Sequence, residues 1–158
     1  SRYHRCMSTP LLRLHQPPEL YYLIEHQVWA RLQADGASAT VGITALGLAL
    51  SGEIYMCRPK RVGTELAQGA TVAVVELSKS IVAVKTAVSG TIIEINPRLD
   101  ERPRLVDQDP YGAGWIARLR LSNFSADVPQ LVHGDAVAAA MARHAHSNGV
   151  ELAPPAAP

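Results

Sequence analysis

A chain of 158 residues with 47% hydrophobic and 18% charged side chains is long enough for one domain with a real core and lies far from the composition of disordered chains. Fifteen basic against fourteen acidic residues leave a formal charge of +1 with no sustained basic stripe, and only 5% of residues are aromatic, so material for neutralising phosphates and stacking bases is missing and nucleic acid is not an expected partner. No apolar run approaches the roughly 20 residues that span a bilayer and no secretory apolar core opens the chain, which points to a cytoplasmic protein without a membrane partner; Ser1 leaves open a leader already removed.

Residues 1–18 mix Arg, His and Ser with Pro17-Pro18 and no period, and read as an arm on the surface or in part disordered. The domain proper is set at residues 19–146. Val28–Leu32 and Ala39–Ile43 flank Asp35-Gly36, a dipeptide suited to positive φ, so an opening β-hairpin is expected with Trp29 on its inner face. Residues 45–50 are rich in Ala and Leu and end at Ser51-Gly52, which predicts a short helix closed by a glycine cap, followed by a strand over residues 53–57.

Val72, Val74 and Val75, then Ile81, Val82 and Val84, are β-branched runs joined by Leu77-Ser78-Lys79-Ser80, so Lys79 is displayed at the tip of a hairpin. Pro97, Pro103, Pro110, Gly112 and Gly114 make residues 97–114 a long ordered loop before a strand over 115–121, from which Arg118 and Arg120 alternate outward. Residues 135–146 are Ala-rich with Val137 and Met141 on one face, giving a terminal helix with Asp135 as its cap. The prolines of residues 147–158 make that stretch a disordered tail.

A surface lysine is usually just a solvated charge, but the surroundings of Lys79 give it more weight. Gly52-Glu53-Ile54 with Pro59 recurs as Gly90-Thr91-Ile92 with Pro97, and Lys79 falls between the copies, as if two small β units packed face to face. Lys85 competes as an acceptor but lies in Ala83-Val84-Lys85-Thr86, which reads as continuing strand. Ser78 and Ser80 flank Lys79 where a biotin acceptor has methionines.

Other candidates are weaker. Tyr111-Gly112-Ala113-Gly114-Trp115 lacks a P-loop lysine and a following helix, so a tight turn is preferred to a phosphate site. His144 and His146 point to different helix faces and His133 stands apart, which makes exposed, unliganded side chains the expectation and a metal an unexpected guest. No paired carboxylates or Ser/His/Asp arrangement rises above chance, so the chain reads as a non-catalytic protein.

Ala39-Thr40-Val41-Gly42-Ile43-Thr44, Val74-Val75-Glu76 ahead of Lys79, Val88-Ser89-Gly90 and Asp109-Pro110-Tyr111-Gly112-Ala113-Gly114-Trp115 together resemble the lipoyl-carrier H-protein family of glycine cleavage, over roughly residues 21 to 146. The resemblance implies a mainly β, lipoyl-domain-like flattened barrel or sandwich (hammerhead) of two pseudo-symmetric β units, with a short helix near 45–50 and a C-terminal helix. It also implies a monomeric carrier with lipoic acid joined covalently to Lys79, served by lipoate-attachment enzymes. Glu76, at the strand end before the turn, is either a recognition mark for them or, as is commoner for such a charge, simply solvated. Three departures stand out: one additional residue separates His26 from Trp29, Ser80 replaces the alanine usual after the lysine, and the acidic residue usual shortly afterwards is missing. Cys6 and Cys57 with Leu20-Tyr21-Tyr22 resemble the H-protein-like lipoate-binding proteins of bacterial sulfur oxidation, which makes a heterodisulfide reductase-like sulfur-oxidising complex the preferred clientele over the glycine cleavage enzymes. Under this reading Cys6 and Cys57 act in redox chemistry or pair as a disulfide, against the plainer possibility that both are small apolar fillers. A third possibility is an H-like binding module that is never lipoylated.

Overall fold

The computed structural model describes residues 8–154. The chain enters through β1 (Leu11–Leu12), β2 (Tyr21–Leu23), β3 (Val28–Leu32) and β4 (Ser38–Ile43), and then forms helix α1 (Ala45–Ser51). It continues through β5 (Met56–Pro59), β6 (Glu65–Leu66), β7 (Thr71–Glu76), β8 (Ile81–Lys85) and β9 (Gly90–Ile95). The last third holds α2 (Leu105–Gln108), β10 (Ala117–Leu121), α3 (Phe124–Asp127), β11 (Val132–His133), α4 (Val137–Ser147) and β12 (Glu151–Leu152). A seven-stranded sheet in the order β11-β2-β3-β4-β10-β9-β6 faces a three-stranded sheet in the order β5-β7-β8, and neither closes on itself.

Alternation along the strands builds the core between these sheets. Val28 and Ala30 of β3, Val41 and Ile43 of β4, and Leu119 of β10 meet Cys57, Ala73, Val75 and Val84 from the smaller sheet. Ile54 and Ile92, the matching members of the two Gly-x-Ile segments, are both fully sunk in this core. The β3–β4 hairpin turns at Asp35-Gly36 as expected, with Asp35 Oδ1 accepting from the Ala37 and Ser38 amides. Helix α1 ends as expected at Gly52, which at φ +94° donates its N–H to the Leu48 carbonyl, and its start is capped by Thr44, whose side chain accepts from the Gly47 amide.

A second core lies on the opposite face of the seven-stranded sheet, and it is there that Trp29 packs rather than between the sheets. Tyr22 and Trp29 meet Leu46, Val137 and Met141, so α4 covers β2 and β3 from outside. Burial on both faces explains why every residue of β4 is buried although the strand reads as half-polar in sequence. The Trp29 Nε1 donates to the Ile43 carbonyl at 3.0 Å, and its ring lies on Gly42 so closely that a Cβ there would stand 2.5 Å from Cζ2.

Several expectations need correction. Residues 147–154 are not a disordered tail: Glu151 and Leu152 pair in parallel with Leu11 and Leu12, and Val150 and Leu152 pack on the second core. The missing partner was the arm, at the far end of the sequence. Residues 8–18 in turn lie against that core through Leu12 and Leu14, and Pro17 accepts from the Tyr22 hydroxyl at 2.6 Å. Asp135 does not cap α4; it sits in a 3-10 turn over Gly134–Ala136, and Ala136 takes the cap position without a side-chain bond. The strand expected over 53–57 starts later, at Met56, because Gly52 redirects the chain out of α1 and Ile54 drops into the core first.

Gly42→Ala is expected to lower stability by about 1–3 kcal/mol, since the new methyl must displace a buried indole. A urea titration checks this, and a midpoint unchanged from wild type would show that Trp29 is not held against Gly42.

Candidate functional site

The expected hairpin is present, and its register is set by burial. Ala73 faces Val84 and Val75 faces Val82, while Glu76 pairs with Ile81 as the last rung before the turn. Leu77 donates its N–H to the Ser80 carbonyl at 2.8 Å, which leaves Ser78 and Lys79 alone at the tip. Neither takes a positive φ, so the turn is not one of the primed types and needs no glycine. Ala73, Val75 and Val84 are buried in the core between the sheets, and β5 braces the hairpin on its other side, with Tyr55 donating to the Glu76 carbonyl at 2.8 Å. The β-branched residues limit χ1 freedom, so an anchored, stiff ribbon ends in three exposed residues, Ser78, Lys79 and Ser80. Among the described residues Lys79 makes no ion pair.

Lys85, the competing acceptor, lies in strand β8 opposite Thr71, with its Nζ 3.5 Å from the Thr71 hydroxyl. Glu76 is half-buried at the strand end, on the outward side of the ribbon, and enters no ion pair among the described residues.

Beside the hairpin runs a groove of about 200 Å³. Leu77, Val82 and Val84 form one wall, and Leu48, Leu50 and Ile54 form another. Its polar end is made by Glu25, His26, Gln27 and His144. Burial pulls the His144 imidazole below its ordinary value, so the ring is neutral at pH 7. The segment carrying the additional residue before Trp29 is closed by Gln27, which takes left-handed angles of φ +52° and ψ +51°. Gln27 holds that bend from several sides: its amide nitrogen donates to the Ile24 carbonyl at 2.8 Å, its Oε1 accepts from the Thr44 hydroxyl at 2.6 Å, and its backbone carbonyl accepts from the Thr44 N–H. The extra residue is thus absorbed in the groove wall and ties it to the start of α1. Nothing in the sequence pattern signals this groove, since Leu77 and Val82 read there only as hairpin residues.

The remaining candidates have structural work. Cys57 is buried in β5 as a free thiol facing the core, and desolvation pushes it up from 9.0 to about 12. Cys6 lies outside the described residues. Tyr22 is fully buried, and Tyr21 stacks on the His133 ring with centroids 3.9 Å apart. His146 contacts the Glu151 carboxylate at 2.8 Å, linking α4 to β12. Tyr111, in the glycine-containing turn, accepts from the Ala45 N–H at 2.9 Å and donates to Gln16 at 3.0 Å, so that turn ties α1 to the arm.

A two-sheet β scaffold that displays one amine on a rigid turn defines a carrier. The model of the glycine cleavage H-protein family matches residues 20–144. Glycine cleavage system H protein 2 of Aquifex aeolicus is 40% identical over 119 residues, covering 75% of this chain and 73% of that protein. The glycine cleavage system H protein of Chromobacterium violaceum is 38% identical over 122 residues, covering 77% of this chain and 93% of that one. The crystal structure of a glycine cleavage system H protein from Mycobacterium marinum superposes with a TM-score of 0.67 at 24% identity, covering 85% of this chain and all of that one, which shows the shared fold. The chain therefore belongs to the glycine cleavage H-protein family, whose members are non-catalytic carriers with a covalently bound lipoyl-lysine.

Because Cys57 is protonated and buried at pH 8, a Cys6→Ser protein is expected to resist iodoacetamide in buffer and to react fully once unfolded by denaturant. Rapid labelling of the native protein, followed by mass spectrometry, would contradict this placement. With the folded-state thiol raised above its unfolded value, its contribution to stability is complete below about pH 9 and is lost as pH climbs toward 12.

Proposed function

We propose that Lys79 is the lipoyl attachment point and that the protein carries the aminomethyl group between glycine cleavage enzymes, as a monomer in the cytoplasm. The observation that carries this reading is the position of Lys79 at the exposed end of a buttressed hairpin, with Lys85 bound into the strand behind it. The site fits the group: an amide at Lys79 Nζ removes a charge that has no ionic partner among the described residues, and an apolar groove begins at Leu77, beside the turn. When bound, a lipoyl group supplies a dithiolane that accepts a group or two electrons by thiol–disulfide exchange.

The chain's own residues position and shield. Val75, Val84 and Ala73 fix the direction in which the tip leaves the core. Leu77, Val82, Leu48 and Ile54 offer an apolar bed that excludes water from an alkyl chain laid along it. Glu25, His26 and His144 stand at its polar end. Glu76, three residues before the lysine, is the charged mark by which an attachment enzyme reads the turn.

The narrower sulfur-oxidation reading rested on Cys57, Cys6 and the paired tyrosines. Cys57 is a core residue, and Tyr21 and Tyr22 are engaged in stacking and burial, so these cues lend it little support. Glycine cleavage has the better support, because the relatives in Aquifex and Chromobacterium are glycine cleavage system H proteins by name.

Lipoylated protein offered to glycine decarboxylase with glycine is expected to become loaded, Lys79→Arg protein to show no loading at all, and Lys85→Arg protein to load at the wild-type rate. Loading that survives Lys79→Arg, read by intact mass, would sink the assignment; a fully lipoylated protein that never loads would shift the cargo away from glycine cleavage.

A further inference from the structure

The outer face of the β5-β7-β8 sheet joins the basic segment Arg58-Pro59-Lys60-Arg61 to Lys85 of β8. Cys57 points into the core, so its neighbours Met56 and Arg58 point out. Arg58 stands opposite Val74, which stands opposite Ala83. One rung further from the tip, Lys60 extends β5 by donating to the Val72 carbonyl at 2.8 Å, while Lys85 stands opposite Thr71 on the far strand. Arg61 is exposed in the turn that follows. At the tip end, Ile81 is 70% exposed beside Lys79, continuing an apolar strip through Ala83 and Val74.

Among the described residues these cations are unpaired. The ion pairs among the described residues join Arg104 to Glu53 and Asp107, Arg118 to Glu94, and His146 to Glu151; none involves Arg58, Lys60, Arg61 or Lys85. Residues 1–7 and 155–158 contain no Asp or Glu that might answer them. Glu76 is the only carboxylate among the outward residues of this sheet. For a chain with a formal charge of +1, this is a marked asymmetry, and it lies along the flank of the hairpin whose tip carries Lys79.

We propose that this face is the docking surface for the enzyme that attaches lipoate to Lys79, and that this enzyme presents acidic side chains around a small apolar centre. The inference rests on Lys79 being the acceptor. Attachment takes place at Nζ itself, so the enzyme must enclose the hairpin tip and lie over its flank, whereas an enzyme that works at the far end of a long arm need not touch the sheet. A second copy of the chain is a poor occupant, because the face would then meet its own cations.

The test uses the unmodified chain and the lipoate–protein ligase from the same organism, with lipoate and ATP, following lipoylation by intact mass. Arg58→Glu/Lys60→Glu/Arg61→Glu protein is expected to raise KM for the carrier about tenfold at low salt while kcat stays close to wild type, and to remove the salt dependence that wild-type KM shows. Lys60→Gln/Arg61→Gln protein, a milder change, is expected to fall between the two and stands in if the triple variant does not fold. An unmoved KM in a folded variant, or a wild-type KM indifferent to salt, overturns the docking face alone. Equal, salt-sensitive binding of a duplex oligonucleotide also overturns it, by making the face a general polyanion surface. A wild-type chain that the ligase never modifies overturns the carrier reading and this one with it.

Discussion

Val75 and Val84, buried with Ala73 between the two sheets, fix the direction in which the β7–β8 hairpin leaves the core, and the behaviour of Lys79 depends on that seating. A lysine on a mobile loop would sample many orientations, and each attachment or docking event would have to order it again. Here that ordering is done once, on folding, by the apolar contacts of Val75, Val84 and Ala73, four to six residues from Lys79. The tip itself stays polar and exposed, which keeps the amine available without loosening the base.

The second core serves the same end less directly. By covering the outer face of β2 and β3, α4 and the β1–β12 pair hold the groove-side loop around Gln27 in place, and His144 of α4 reaches the groove's polar end. Tyr111 joins α1 to the arm through two hydrogen bonds. The groove therefore has walls drawn from both cores, and its shape is tied to global folding rather than to a lid.

Much of this was legible in the residues because local chemistry decided it. Asp35-Gly36, Ser51-Gly52 at the end of α1, and the β-branched runs around Lys79 each specify their structure within a few positions, and the structure follows them. What could not be seen depends on partners distant in sequence. Leu152 becomes a strand only because Leu12 lies beside it, and Trp29 chooses its face because α4 supplies Val137 and Met141. The groove needs residues from both sides of the domain. On the outer face, Arg58, Lys60 and Arg61 are neighbours in sequence, but only strand pairing brings Lys85 to the same end of the sheet. Gln27 is a different case, since a non-glycine residue with positive φ carries no reliable sequence signal, although the additional residue before Trp29 marked the place.

Peptide mapping of protein purified from its own host tests most directly whether the stiff tip carries the cofactor. The expected result is a lipoyl group on the peptide containing Lys79, with Lys85 unmodified in the same molecules. A lipoyl group on Lys85, or a host-derived protein bearing none while other lipoyl proteins of the same cells are fully modified, would contradict it.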